Sequence, residues 1–206
     1  MKKQVYILTK SLKDREYCVA GIDMFSGEWI RLVNSKDGDA CPKEFLDDKD
    51  IKVLDIIEIE LKIAVPYGAQ KENWLIDENI PVQKIGSRKL SQLLYLRPFD
   101  KPEFIFGSKG NELEKAEVKK LDHSLELLPV SDLVLDTSLK GDGRNHYKVK
   151  FNYKNQSYNL SLTDPKYRNE NFDGIRIPNA KVIVSIHAVP YGENDLFYKF
   201  VAKIFI

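Results

Sequence analysis

The residues best suited to chemistry stand near the start of the chain, where Trp29 and Arg31 lie two apart in a stretch with strand periodicity. If Ile30 and Leu32 face a core, alternation sends Trp29, Arg31 and Val33 to the opposite face, beside a strand that carries Tyr17 and Val19. An indole, a phenol and a guanidinium displayed together make a stacking platform, on which each base gains about 1–3 kcal/mol. Lys10, Lys13 and Arg15, just before that strand, are placed to meet phosphates. The competing assignment is structural, with Trp29 packed against a linker helix and Arg31 bonded to a carboxylate between domains. Lys148 and Lys150, with Lys181, Lys199 and Lys203 on later strands, form a second candidate patch; such lysines also serve to keep strand edges soluble.

Other chemistries find no support in the spacing. His123, His146, His187, Cys18 and Cys41 do not cluster as zinc ligands do, so no metal is expected. Lys140-Gly141-Asp142-Gly143-Arg144 is basic and glycine-bearing but lacks the spacing and strand-to-helix setting of a phosphate loop, and reads as a hairpin loop. Glu58 and Glu60 fall on the solvated side of a strand, and no nucleophile elbow, zinc-helix motif or kinase set appears. The expectation is a binding protein with no catalytic residues and no cofactor.

Strands must position these side chains. Period-two patterning predicts strands over 4–8, 17–23 and 28–33, the last two joined through Phe25-Ser26-Gly27, a glycine-bearing turn. Over 54–65, Ile57, Ile59, Leu61 and Ile63 share one face and Glu58, Glu60 and Lys62 the other. Tyr147, Val149, Phe151 and Tyr153 alternate with polar residues, a turn at 154–157 leads into Tyr158, Leu160 and Leu162, and two further strands cover 181–189 and 197–206. Helical signal is confined to 87–96, with Ser87 as cap and Pro98 as stop, and to the charged stretch 111–121, read as a solvated helix or linker. Ala64-Val65-Pro66-Tyr67-Gly68 recurs as Ala188-Val189-Pro190-Tyr191-Gly192, each copy after a β-rich segment, which favours two related modules. The predicted architecture is mainly β: two small barrels in tandem over 1–110 and 125–206, a linker at 111–124, and one or two short helices.

Composition narrows the partners. Lys and Arg total 32 against 31 Asp and Glu, so a net charge of +1 gives no global attraction to nucleic acid or anionic lipid. Any such affinity has to be local. Two cysteines in a chain of 206 residues fit thiols used as small apolar fillers in a reducing compartment. The start lacks a signal-peptide pattern and no run reaches a membrane span, so a cytoplasmic location without membrane contact is expected.

Lys10-Ser11, Arg15, Cys18-Val19-Ala20-Gly21-Ile22-Asp23 and Gly27-Glu28-Trp29-Ile30-Arg31 together resemble the opening of bacterial dual-OB-domain proteins. Val53-Leu54-Asp55-Ile56-Ile57 and Gln70-Lys71-Glu72-Asn73-Trp74 are similar to that family's middle. Leu162-Thr163-Asp164-Pro165 and Tyr198-Lys199-Phe200-Val201-Ala202 are similar to its end. The chain departs from the pattern at Leu32, where proline is expected, and at His187-Ala188-Val189-Pro190, which replaces a glycine-acidic-proline turn. The resemblance implies tandem OB-like barrels and a non-enzymatic module that binds nucleic acid, sometimes encoded with defence or mobile-element functions. Carried over by position, it singles out Arg15, Trp29, Arg31, Gln70, Glu72, Asn73 and Asp164. Gln70, Glu72 and Asn73, just after a Pro-Tyr-Gly turn, also suit satisfying backbone groups where the chain leaves a barrel, and Asp164 before Pro165 is a turn starter. Single-stranded DNA or RNA is the expected partner; the alternative is a protein adaptor within an operon-encoded complex.

Overall fold

The computed structural model describes residues 1–13, 16–93, 102–139, 145–167, 172–192 and 194–206. Arg15, the end of the helix expected over 87–96, and the 140–144 loop lie outside the described residues. The chain divides into two compact units, Met1–Asp100 and Lys101–Ile206.

The first unit contains β1 (Lys2–Lys13), β2 (Glu16–Asp23), β3 (Trp29–Val33), α1 (Lys43–Asp47), β4 (Asp55–Ala64), β5 (Asn73–Ile76), β6 (Gln83–Ser87) and α2 (Leu90–Leu93). Its sheet runs β1-β2-β3-β5-β4-β6 and closes through β1–β4, with β3 and β5 parallel. That closed order of five strands, with a helix between the third and fourth, is the OB arrangement. Val5, Ile7, Val19, Ile30, Leu32, Ile57, Ile59 and Leu61 fill the barrel, as their alternation requires. Each is worth about 1.5–3 kcal/mol when fully buried. Ile63 was expected in this row, but the register slips between Leu61 and Ala64 and turns it out to solvent. Gly21 is dictated by a close approach: a Cβ there would sit 2.1 Å from the Tyr6 carbonyl oxygen.

The second unit contains β7 (Glu112–Leu113), α3 (Lys115–Val118), β8 (Leu125–Leu139), β9 (Asn145–Tyr153), β10 (Gln156–Leu162), β11 (Arg176–Ile186) and β12 (Phe197–Phe205). Its order, β10-β9-β8-β11-β12-β7 closed by a parallel β10–β12 pair, repeats the topology of the first. The chain is thus mainly β, with two closed barrels of five strands. Val149, Phe151, Tyr153, Tyr158, Leu160 and Leu162 point inward as predicted. Periodicity does not mark β8, because the exposed Pro129 interrupts it and a register slip between Ser131 and Val134, at Asp132 (φ 52°), changes which residues face the core.

Residues 111–124 are not a linker. Leu113 and Val118 are buried, β7 pairs with β12, and the Lys199 amide donates to the Asn111 carbonyl, so this stretch packs into the second unit. Ser87 caps no helix; it ends β6 opposite Asp55 and donates its hydroxyl to that carboxylate.

Candidate functional site

Burial decides the fate of the opening constellation. Arg31 does lie opposite Ala20 on the outer side of the sheet, yet it is only 6% exposed, and its Nε donates to Glu72 Oε1 at 3.1 Å. The expectation of an outward guanidinium is therefore corrected: a carboxylate from the β4–β5 loop holds it in a buried ion pair within the first barrel. Tyr17 packs against the core, with Lys10 Nζ 4.2 Å and Lys43 Nζ 5.5 Å from its ring centroid, and its hydroxyl donates to Asp47 Oδ2. Lys10 itself donates to Asp47 and to the Ile51 carbonyl. Trp29 is half-buried. Trp29 and Arg31 share one side of β3, but Tyr17 lies with Val19 on the core side of β2, so the structure does not assemble the expected platform, and Arg31, Tyr17 and Lys10 are engaged by partners within the protein.

The residues matched by resemblance also do structural work. Tyr67 and Gln70 exchange backbone hydrogen bonds, closing the β4–β5 loop tightly. Asn73 is fully buried, and Gly38 crosses beside it so closely that a Cβ there would lie 3.2 Å from Asn73 Nδ2. Asp164 accepts from the amides of Ile204 and Lys166 and pairs with Lys203, tying β12 to the segment after β10. Cys41 is a buried filler whose thiol burial pushes up to about 12.

The second patch changes membership. Lys199 turns inward and is 3% exposed; its Nζ donates to the carbonyls of Ser108 and Gly110 at 2.7 and 2.6 Å, so it is corrected from surface to interior. Burial lowers its ammonium to about 8, while the Glu126, Glu117 and Glu112 charges oppose the fall. Lys148 and Lys150 remain outward on β9, with Lys150 3.5 Å from Asp136.

What sequence reasoning missed lies beside those two lysines. Each barrel's fourth and fifth strands are joined by a loop carrying the repeated pentapeptide, and in both copies the next strand begins nine residues after the pentapeptide's alanine. In the first barrel Val65 is 8% exposed and Tyr67 half-buried. In the second, Val189 is 47% and Tyr191 70% exposed. Around Tyr191 gathers a ring cluster: His187 lies 6.1 Å from Tyr191 and 5.0 Å from Phe200, and Tyr198 meets Tyr191 edge-on at 6.3 Å. Tyr198 and Phe200 alternate outward on β12 between buried Phe197, Lys199 and Val201. Ser161 of β10 pairs with Phe200 on one side and with Lys148 on the other, so rings and lysines share the outer face of β9, β10 and β12. In strand count this is the second, third and fifth strand with the loop between the fourth and fifth; the face of strands two and three and that loop are where OB barrels take ligands. The aromatic alternation at Tyr198 and Phe200 was the available signal.

The strand order of both barrels agrees with a family model that covers nearly the whole chain, described as a dual OB-containing domain and matching residues 3–204. The chain belongs to the dual OB-containing domain family. No curated protein matches it. Among solved structures, this dual OB chain is similar to the p204 HINb domain at 11% identity, covering 98% of this chain and 96% of that one with a TM-score of 0.43. A murine DNA-binding protein bound with double-stranded DNA matches at 8% identity over 100% and 98% of the two chains, with a TM-score of 0.39. The Ifi202 HINa domain in complex with a 20-base-pair DNA duplex matches at 16% over 100% and 96%, with a TM-score of 0.37. Among the described residues, no helix is long and apolar enough to cross a membrane.

Proposed function

We propose that this dual OB protein binds single-stranded nucleic acid, DNA or RNA, on the outer face of its second barrel, without catalysing a reaction. The supporting observation is the ring cluster of exposed His187 and Tyr191 with half-buried Tyr198 and Phe200, next to Lys148 and Lys150. Unpaired bases stack on such rings whatever their identity, at about 1–3 kcal/mol each, and neighbouring lysines neutralise the backbone. A near-neutral chain then achieves useful affinity locally, on the order of micromolar for one platform. The reading moves the site from the first barrel, whose Arg31 is committed to Glu72, to the second.

Fluorescence anisotropy with labelled single strands of about 12 nucleotides, within the span an OB barrel covers, tests this. A Tyr191→Ala, Phe200→Ala double variant should bind at least about tenfold more weakly while keeping the wild-type melting temperature. Unchanged affinity in the folded variant removes the site. One observation favours the adaptor reading instead: Phe25, at the tip of the β2–β3 turn, is fully exposed. Co-purification of one protein that survives nuclease treatment would support that reading.

A further inference from the structure

The ring cluster accounts for bases but not for the polar residues that share its sheet face. His146 Nε2 lies 3.1 Å from Ser161 Oγ, and Ser161 is the cross-strand partner of both Lys148 and Phe200. His146 and Lys148 are two apart on β9 and project from the same side. An ammonium, a hydroxyl and an imidazole thus converge at one end of a row whose other end is the Phe200 ring, tilted against His187. Among the described residues Lys148 makes no ion pair, whereas Asp136, directly opposite it on β8, lies 3.5 Å from Lys150. The acid that would compete for Lys148 is engaged elsewhere.

We infer that Lys148, Ser161 and His146 form a phosphate subsite, so that the ligand's backbone follows the β9–β10 edge of the face while its bases turn toward Phe200, His187 and Tyr191. This rests on the nucleic-acid reading above and gives it a direction. Neighbouring strands are about 4.8 Å apart, so the row from Lys148 across Ser161 to Phe200 spans about 10 Å, the breadth of one nucleotide from phosphate to base. A charged donor and a hydroxyl on one phosphate make hydrogen bonds of the stronger, charge-assisted kind. Among the described residues the first barrel shows no counterpart: the row across the same three of its strands places Ala20 opposite Arg31 and Arg31 opposite Asn73, with Arg31 paired to Glu72.

The test compares phosphodiester and uncharged methylphosphonate oligonucleotides of one sequence, each titrated against the full chain at several salt concentrations. Wild type should prefer the phosphodiester. Lys148→Ala should lower the slope of log affinity against log salt by about 0.7, the share of one single-strand phosphate. Ser161→Ala should weaken phosphodiester binding roughly tenfold, in keeping with loss of a hydrogen bond to a charged group. Both variants should bind the methylphosphonate strand as wild type does. If Lys148→Ala and Ser161→Ala keep the wild-type slope and preference while Tyr191→Ala, Phe200→Ala still loses binding, the backbone runs elsewhere and the subsite is overturned though the base platform stands. If wild type binds neither strand, the nucleic-acid reading fails and the subsite with it.

Discussion

Arg31 illustrates how one side chain is assigned by its partner rather than by its type. Strand alternation places it correctly on the outer side of β3, and an arginine there reads as a surface group. Its partner Glu72 lies 41 residues further on, in a loop whose course no local pattern reveals. Removing one member of a buried pair leaves the other charge uncompensated, at about 3–5 kcal/mol. Glu72→Ala is therefore expected to destabilise the first barrel by that order in urea titration, and the folded fraction should bind oligonucleotide as wild type does. A small stability loss with a large affinity loss would return Arg31 to the binding surface. The structural roles of Gln70 and Asp164 were legible as turn chemistry. The burial of Lys199 was not, since an inward lysine is tolerated only because residues 108–110 bring carbonyls to it.

At the scale of elements, the segment that leads into β7 closes the second barrel through polar groups. The Pro102 carbonyl accepts from Tyr153 Oη, the Ile105 amide donates to Tyr158 Oη, and the Phe106 amide donates to both Glu126 oxygens at 3.1 and 3.2 Å. Burial pushes the Glu126 carboxyl up from 4.5 to about 7, against the pull of the Phe106 amide and the Lys199 charge. In the folded state Glu126 holds a proton that the unfolded chain has released between 4.5 and about 7, so its contribution to stability grows as pH falls through that window. Lys199, lowered from 10.5 to about 8, gives up its proton earlier in the folded state, and its contribution grows as pH rises between those values. The contributions of these two groups are smallest between about 7 and about 8. Glu126→Gln should lose the gain on the acid side of a melting-temperature profile and move the alkaline one to lower pH, since the Glu126 charge no longer holds the Lys199 ammonium up. An acid limb identical to wild type would show that Glu126 does not titrate there. Strands with clean alternation, such as β4 and β9, were readable because one face is core and the other is not. The strand β8 was not, because Pro129 and the slip at Asp132 break the period.

The whole molecule is two barrels of one topology and closely similar loops put to different uses. The Val and Tyr of the same pentapeptide are drawn in against the first barrel and displayed by the second, and only packing distinguishes them. That difference is why the architecture could be read from the chain while the location of the site could not: both copies look alike until their neighbours are known. A charge of +1 spread over 206 residues leaves recognition to whichever face holds rings and lysines together. Matched substitutions at the repeat, Tyr67→Ala and Tyr191→Ala, examined side by side by oligonucleotide anisotropy, probe this directly. Affinity should fall about tenfold for Tyr191→Ala, the loss of one stacked base, and stay at the wild-type value for Tyr67→Ala. The opposite outcome, a loss at Tyr67 with none at Tyr191, would place the ligand on the first barrel and contradict the division of labour described here.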